Sequence, residues 1–174
     1  HGDFNDVDTA SIQTEVFQLP STCFAEEDGS LTNSGRWLQW HWQASSPPGE
    51  AKHDSWIVAQ IFLRMRALYA KEGGAFPDPI LNLSWEYEDE NEPTAEELAK
   101  EINGRALSDV MDPTDPTKVL VAAGKQVVNF SQLKDDGSTM SGCWIYSGCW
   151  NEQGNNMGRR DNHDPDETGA YLGW

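Results

Sequence analysis

Val58, Ile61, Phe62, Met65, Leu68 and Tyr69 recur at the three- and four-residue steps of an α-helix. No other stretch constrains the fold as strongly. A helix with such a stripe takes most of its stability from a surface packed against it, so the pattern predicts both a helix and a partner for it. Its limits are marked in the sequence. Asp54 is a residue type that caps helix N-termini, and Gly73-Gly74 ends the run. A second, shorter helix is predicted from Thr94 and Glu97, the two polar halves of a capping box, through about Ile102 and up to Gly104.

Between and around these helices the signals are extended. Ile12 to Pro20, IQTEVFQLP, alternates and ends in proline, which predicts a strand. Leu31 to Trp42 reads as extended, with Asn33-Ser34-Gly35 as a turn inside it. PDPILNLSW is a short apolar connector, and Pro113 and Pro116 confine VMDPTDPT to turn chemistry. KVLVAAGKQVV predicts a hairpin around Gly124, FSQLKDDGST a short helical turn and a loop, and CWIYSGCW a strand. From Asn151 onward the chain is polar and glycine-rich, without periodicity. Ser-Gly-Cys-Trp occurs twice in SGCWIYSGCW, but a six-residue step is too short for a solenoid. The fold class expected is α/β, mixed strands with two helices, in a chain of 174 residues that is the size of one to one and a half domains.

Composition excludes several functions. The formal net charge is −17, which repels a nucleic-acid backbone and an anionic membrane surface. No apolar run is long enough to cross a bilayer. The opening HGDFNDVDTA is polar and lacks an initiator methionine, so the chain reads as an internal segment. Hydrophobic residues make up only 37%, yet there are eight tryptophans, which speaks for a globular chain with long polar loops. Three cysteines, Cys23, Cys143 and Cys149, leave one disulfide plus a thiol and three thiols equally open.

Each candidate for chemistry has a plainer competitor. Cys143, Cys149 and His163, with Cys23 or an acid, hold metal-ligand residue types, but the spacing is looser than the tight pairs of zinc sites, and packed or bridged cysteines fit better. Glu26, Glu27 and Asp28 offer general acid–base groups, or simply a solvated edge beside a turn. His41 lies between Trp40 and Trp42 with no nucleophile pattern near it, which favours packing. Arg159-Arg160 has the fork geometry for a phosphate or carboxylate, and also the look of surface charge. No phosphate-cradling glycine loop, GxSxG or HExxH is present. Physics alone completes no active site.

One segment goes further. QTEVFQLPSTCFAEEDGSLTNSGRWLQWHW, followed by PPGEAKHDSW, resembles the large subunit of molybdopterin oxidoreductases, in particular the major (alpha) subunit of respiratory formate dehydrogenases. The acid-rich part leads through Gly29 to Asn33 and Arg36, and a Pro-Gly-Glu-Ala-x-x-Asp step runs from Pro48 to Asp54 into a helix. LNLSWEY, DDGSTMSGCWIYSGCW and GNNMGRRDN are similar to the formate dehydrogenase branch.

The resemblance implies oxidation of formate to carbon dioxide by molybdenum or tungsten held by molybdopterin guanine dinucleotide, with a [4Fe–4S] cluster carrying electrons away. It implies the remainder of the alpha subunit, an iron–sulfur beta subunit and a membrane cytochrome subunit as partners, and a periplasmic location. The family's catalytic selenocysteine or cysteine is followed by histidine, whereas Cys23 precedes Phe24, Cys143 precedes Trp144 and Cys149 precedes Trp150, and no four-cysteine cluster motif occurs. The chain is therefore expected to contribute no catalytic residue and no metal ligand. It is expected to be an incomplete segment of the cofactor-binding domains, with residues 1–74 in the guanine-dinucleotide region and 75–174 a branch-specific insertion and linker. Two positions carry over. Asp54 matches an aspartate that binds guanine in related nitrate reductases, and the chemistry fits, since a carboxylate accepts from N1–H and N2–H₂ side by side. A lysine contact of the family falls on Glu27, a charge reversal that works against a phosphate there. Outside the resemblance, a secreted tryptophan-rich sugar-binding or protein-interaction module is the alternative, against which the helix at 54–72 argues.

Overall fold

The computed structural model describes residues 7–158. Arg159, Arg160 and His163 lie outside the described residues. Among those described, short strands form four two-stranded antiparallel ladders, and there are three α-helices rather than two.

Residues 12–20 are not a strand. Their alternation has no neighbouring strand to pair with among the described residues, and Val16 and Phe17 stand about 80% exposed (81% and 79%). Regular pairing begins with β1, Gly29–Thr32, and β2, Leu38–His41, in register Gly29↔His41 through Thr32↔Leu38. The hairpin loop forms where the sequence places its turn. Asn33 N–H donates to Trp37 O at 3.1 Å, and the Asn33 side-chain oxygen accepts from Gly35 N–H at 2.9 Å and Trp37 N–H at 3.2 Å. The last loop residue before Trp37 takes the left-handed conformation (Arg36, φ 63°), usual for a three-residue hairpin loop but uncommon for a side chain this large. Gly29 is required by contact, because a Cβ there would lie 2.8 Å from the His41 ring.

Helix α1 spans Asp54–Glu72 and ends at Gly73, as the stripe predicts. Its N-cap is His53 rather than Asp54, and the His53 side chain makes no capping bond. Asp54 is the first helical residue, where its charge complements the helix dipole. The apolar connector contains a short helix, α2, Asp78–Leu81, started by Pro77-Asp78-Pro79. Beyond it Phe62 of α1 stacks on Trp85 at 4.4 Å between ring centroids, and Trp85 meets Tyr87 edge-on at 5.0 Å.

Helix α3, Ala95–Asn103, has the complete capping box. Glu97 N–H donates to the Thr94 hydroxyl oxygen at 3.2 Å, and the Glu97 carboxylate accepts from Thr94 N–H at 2.9 Å. Gly104 closes it at φ 92°, where a Cβ would collide with Met140 O. Then come β3 (Arg105–Ala106), β4 (Val110–Met111), β5 (Val119–Val121), β6 (Thr139–Met140), β7 (Trp150–Asn151) and β8 (Gly154–Asn155). The hairpin expected around Gly124 is displaced: β5 pairs backward with β4 across the proline-rich turn. The Gly124 turn instead bonds to β3, through Gly124 N–H to Ala106 O (2.7 Å) and Ala106 N–H to Lys125 O (2.9 Å). CWIYSGCW is not a strand either. Trp144–Tyr146 is a 3₁₀ turn, and pairing starts only at Trp150.

Two small apolar clusters form the core: Ala99, Trp150 and Met157, with Leu38, Trp40 and Cys149 packed against them, and Ala106, Val110 and Val121. Between them sits a buried polar hub. The Asn103 amide donates to Gly104 O and Val127 O, both at 2.9 Å, and its oxygen accepts from Gly148 N–H (2.6 Å) and Trp150 N–H (3.1 Å). All four backbone groups are thereby satisfied away from water.

Candidate functional site around the start of helix α1

The three acids are all hydrogen-bonded within the chain, Glu26 and Glu27 half-buried and Asp28 exposed. Each acid holds a different part of the chain. Glu26 accepts from Cys23 N–H at 3.0 Å, closing its own turn. Asp28 accepts from Gln43 N–H at 2.7 Å, tying the block to the strand leaving the hairpin. Glu27 Oε2 accepts from the Thr22 hydroxyl at 2.6 Å and lies 3.2 Å from His53 Nδ1. The His41 ring nitrogen meets Glu27 O at 3.1 Å, and Phe24 packs edge-on at 6.4 Å, so His41 is a packing residue.

The structure thus brings the two carried-over positions to one place. Glu27 reaches His53, and His53 is the immediate neighbour of Asp54. The backbone adds to the connection: Lys52 N–H donates to Pro20 O and Thr22 N–H to Lys52 O, both at 3.1 Å. Sequence reasoning missed Thr22 and His53. The single available signal was the position of His53 just ahead of a helix start.

Asp54 itself is exposed, and among the described residues its carboxylate has no hydrogen-bond or ion-pair partner. It therefore keeps the acceptor capacity that a pair of parallel N–H donors needs, and the residue present fits a guanine edge. Glu27 does not fit a phosphate, since its negative charge is already committed to Thr22 and His53. On the helix surface Asp54 shares a face with Val58, Ile61, Met65 and Leu68, all exposed. The described residues thus cover part of the stripe, where Phe62 stacks on Trp85, and leave these four positions exposed.

The remaining candidates separate from this site. All three cysteines are free thiols, and no group of three or more His, Cys, Asp or Glu among the described residues is arranged to hold a metal ion. Burial pushes the Cys149 thiol up to about 11. Among the described residues no helix is long and apolar enough to cross a membrane. The tryptophans divide: Trp40 packs edge-on against Trp42 and Trp150, each at 5.5 Å, whereas Trp37 and Trp42 stand 44% and 61% exposed.

Residues 17–64, which contain Glu27 and Asp54, match the family described as Molybdopterin oxidoreductase. The whole chain is 55% identical to the Formate dehydrogenase-O major subunit of Escherichia coli (strain K12), of which it spans 17%. It is 47% identical over 99% of its length to the Formate dehydrogenase major subunit of Haemophilus influenzae, again covering 17% of that protein. Over 89% of its length it is 43% identical to the Formate dehydrogenase 2 subunit alpha (cytochrome c-553) of Nitratidesulfovibrio vulgaris, covering 14% of it. None of these matches supports the sugar-binding alternative. The resemblance read from the acid-rich block and the helix start is thus met over the full chain: these 174 residues are similar throughout to formate dehydrogenase major subunits, of which they span about a sixth, and residues 17–64 carry the molybdopterin oxidoreductase match.

Proposed function

We propose that this chain serves within the catalytic subunit of a formate dehydrogenase, where it helps to hold a molybdopterin guanine dinucleotide. The observation that carries the reading is 55% identity along the entire chain to a formate dehydrogenase major subunit, with the family match lying over the Asp54 helix start. When bound, the pterin-held molybdenum or tungsten supplies the two-electron chemistry that converts formate to carbon dioxide. This chain's own residues bind and orient. Asp54, in the first turn of α1, would accept from guanine N1–H and N2–H₂. Residues 1–74 make up the guanine-binding part, and 75–174 a branch-specific insertion leading toward the next domain. The exposed face of α1 packs on the rest of the alpha subunit. An iron–sulfur beta subunit with a [4Fe–4S] cluster and a membrane cytochrome subunit complete the assembly, in the periplasm.

The test is Asp54→Asn and Asp54→Ser in the full-length subunit. Asparagine places an amide donor against guanine donors, and serine removes the reader while retaining a residue suited to a helix start. Each is expected to weaken pterin binding by ~1.5–3 kcal/mol, the range for hydrogen bonds to a charged group. Guanine nucleotide and metal released per subunit measure it, with circular dichroism reporting the helix. Full cofactor content in both variants would remove Asp54 from the reading.

A further inference from the structure

We propose that Glu27 and His53 are positioning residues that hold Asp54 in register for its ligand, an inference that rests on the guanine-reading role proposed above. The starting point is an omission. His53 occupies the N-cap of α1, yet its side chain makes no capping bond. Ser, Thr, Asp or Asn there would satisfy a free N–H of the first turn. The imidazole turns instead to Glu27 Oε2 at 3.2 Å, and both side chains are largely covered, 27% and 23% exposed. The same carboxylate oxygen takes the Thr22 hydroxyl at 2.6 Å, so the acceptor is itself held in place.

Helix ends fray, and the first helical residue frays most. Asp54 is that residue, and its side chain gains nothing from neighbours among the described residues. A carboxylate that must meet two parallel donors tolerates displacements of only about 0.5 Å. What stops the fraying here is the chain on the N-terminal side. Two backbone bonds pin Lys52 to Pro20 and Thr22, and the Glu27–His53 contact pins the next residue. Asp54 then follows a doubly anchored dipeptide. The charge at Glu27, which works against a phosphate, is spent on this anchor.

The experiment compares His53→Ser, Glu27→Ala, Glu27→Gln and Asp54→Asn in the full-length subunit, measuring the dissociation rate of the pterin dinucleotide and guanine content after dialysis. His53→Ser is the decisive variant, because it supplies the missing cap while breaking the anchor. A purely structural cap position would make the helix start more protected from hydrogen exchange and leave retention unchanged or improved. Positioning predicts the opposite sign in the second readout: a more protected first turn, and dissociation faster by about 3- to 10-fold, a fraction of the loss of a charged hydrogen bond. Glu27→Ala should show the same faster dissociation, and Glu27→Gln, which keeps an oxygen acceptor for Thr22 and His53, should retain most of the cofactor. Wild-type retention in His53→Ser and Glu27→Ala alongside loss in Asp54→Asn would overturn the anchor and leave the Asp54 reading standing. Equal loss in Glu27→Gln and Glu27→Ala would overturn it as well. Retention in all four variants would overturn both.

Discussion

Residues 29–72 and residues 95–157 solve the problem of unpartnered atoms in different ways. In the second region, Ala99, Ala106, Val110, Val121, Val127, Trp150 and Met157 are buried, and a buried amide, Asn103, satisfies the backbone groups trapped among them. In the first, Ala59 alone is buried, while Leu31, Trp42, Val58, Ile61 and Leu68 are each at least half exposed. The two regions meet at Trp40 and Trp150. The lesson is that similarity to the family and self-sufficiency of packing do not coincide. The stretch matching the family model lies at the hairpin and α1, where the chain finishes least of its own burial. That fits an element whose partner surface is a cofactor domain, and a patch of this kind marks an interaction face.

The largest expected effect tests whether the second region is one unit. Asn103→Ala leaves the Gly148 and Trp150 N–H groups and the Val127 carbonyl without the amide in a buried site, while Gly104 O keeps Val127 N–H at 3.0 Å, at a cost on the order of 3 kcal/mol. Hydrogen exchange in the full-length subunit should show amides 148–150 losing about a hundredfold of protection while those of β1 and β2 change little. Equal loss in the hairpin would break the division into two regions.

Helix α3 sharpens the same division at smaller scale. Thr94→Ala removes one half of the capping box and should cost about 1 kcal/mol at neutral pH. The Glu97 carboxyl is pushed up by its partial burial, but donors at Glu88 N–H and Thr94, with Lys100 nearby, hold it below the usual carboxylate range. A folded-state value below the unfolded one gives stability that is full above the unfolded range and is lost as pH falls through the folded value. The difference between Thr94→Ala and wild type should therefore narrow below about pH 4. Local exchange of the α3 amides against pH measures this, and a pH-independent difference would detach Glu97 from the cap.

The smallest effect is in the first region. Arg36 sits at φ 63°, where glycine is easier by ~1 kcal/mol. Arg36→Gly should slow exchange in the β1–β2 amides by a few-fold and leave the Asn103 hub untouched. Faster exchange would mean that the arginine side chain supports the hairpin.

What was legible in the sequence was local. Asn33-Ser34-Gly35 carries its own turn chemistry, the Thr94–Glu97 box its own cap, and the stripe from Val58 to Tyr69 its own period. The misreadings share one cause: a partner elsewhere decided. Residues 12–20 alternate like a strand, but alternation specifies a face and not a neighbour. The segment after Lys118 was expected to fold forward on itself around Gly124, yet β4 and the β3 backbone were already in position to receive it. Asn103-Gly104 reads only as a helix stop, and nothing local announces that the amide reaches residues 148–150. At the candidate site, Asp54 and Glu27 were visible through the resemblance. The cap assignment of Asp54 failed by one residue because His53 is a poor cap by type and holds the position through Glu27 instead.

The long reach of Asn103 also sets an order of events. Its amide closes loops of 24 residues to Val127, 45 to Gly148 and 47 to Trp150. Loop closure on that scale is entropically costly before any contact repays it. On a ribosome the hairpin and α1 emerge before the hub, which cannot close until residue 150 has cleared the tunnel. The part that locks through Asn103 is therefore made last. A pause in translation once residue 150 has cleared the tunnel would let the latch set, and a pause while it is still inside would hold the chain open.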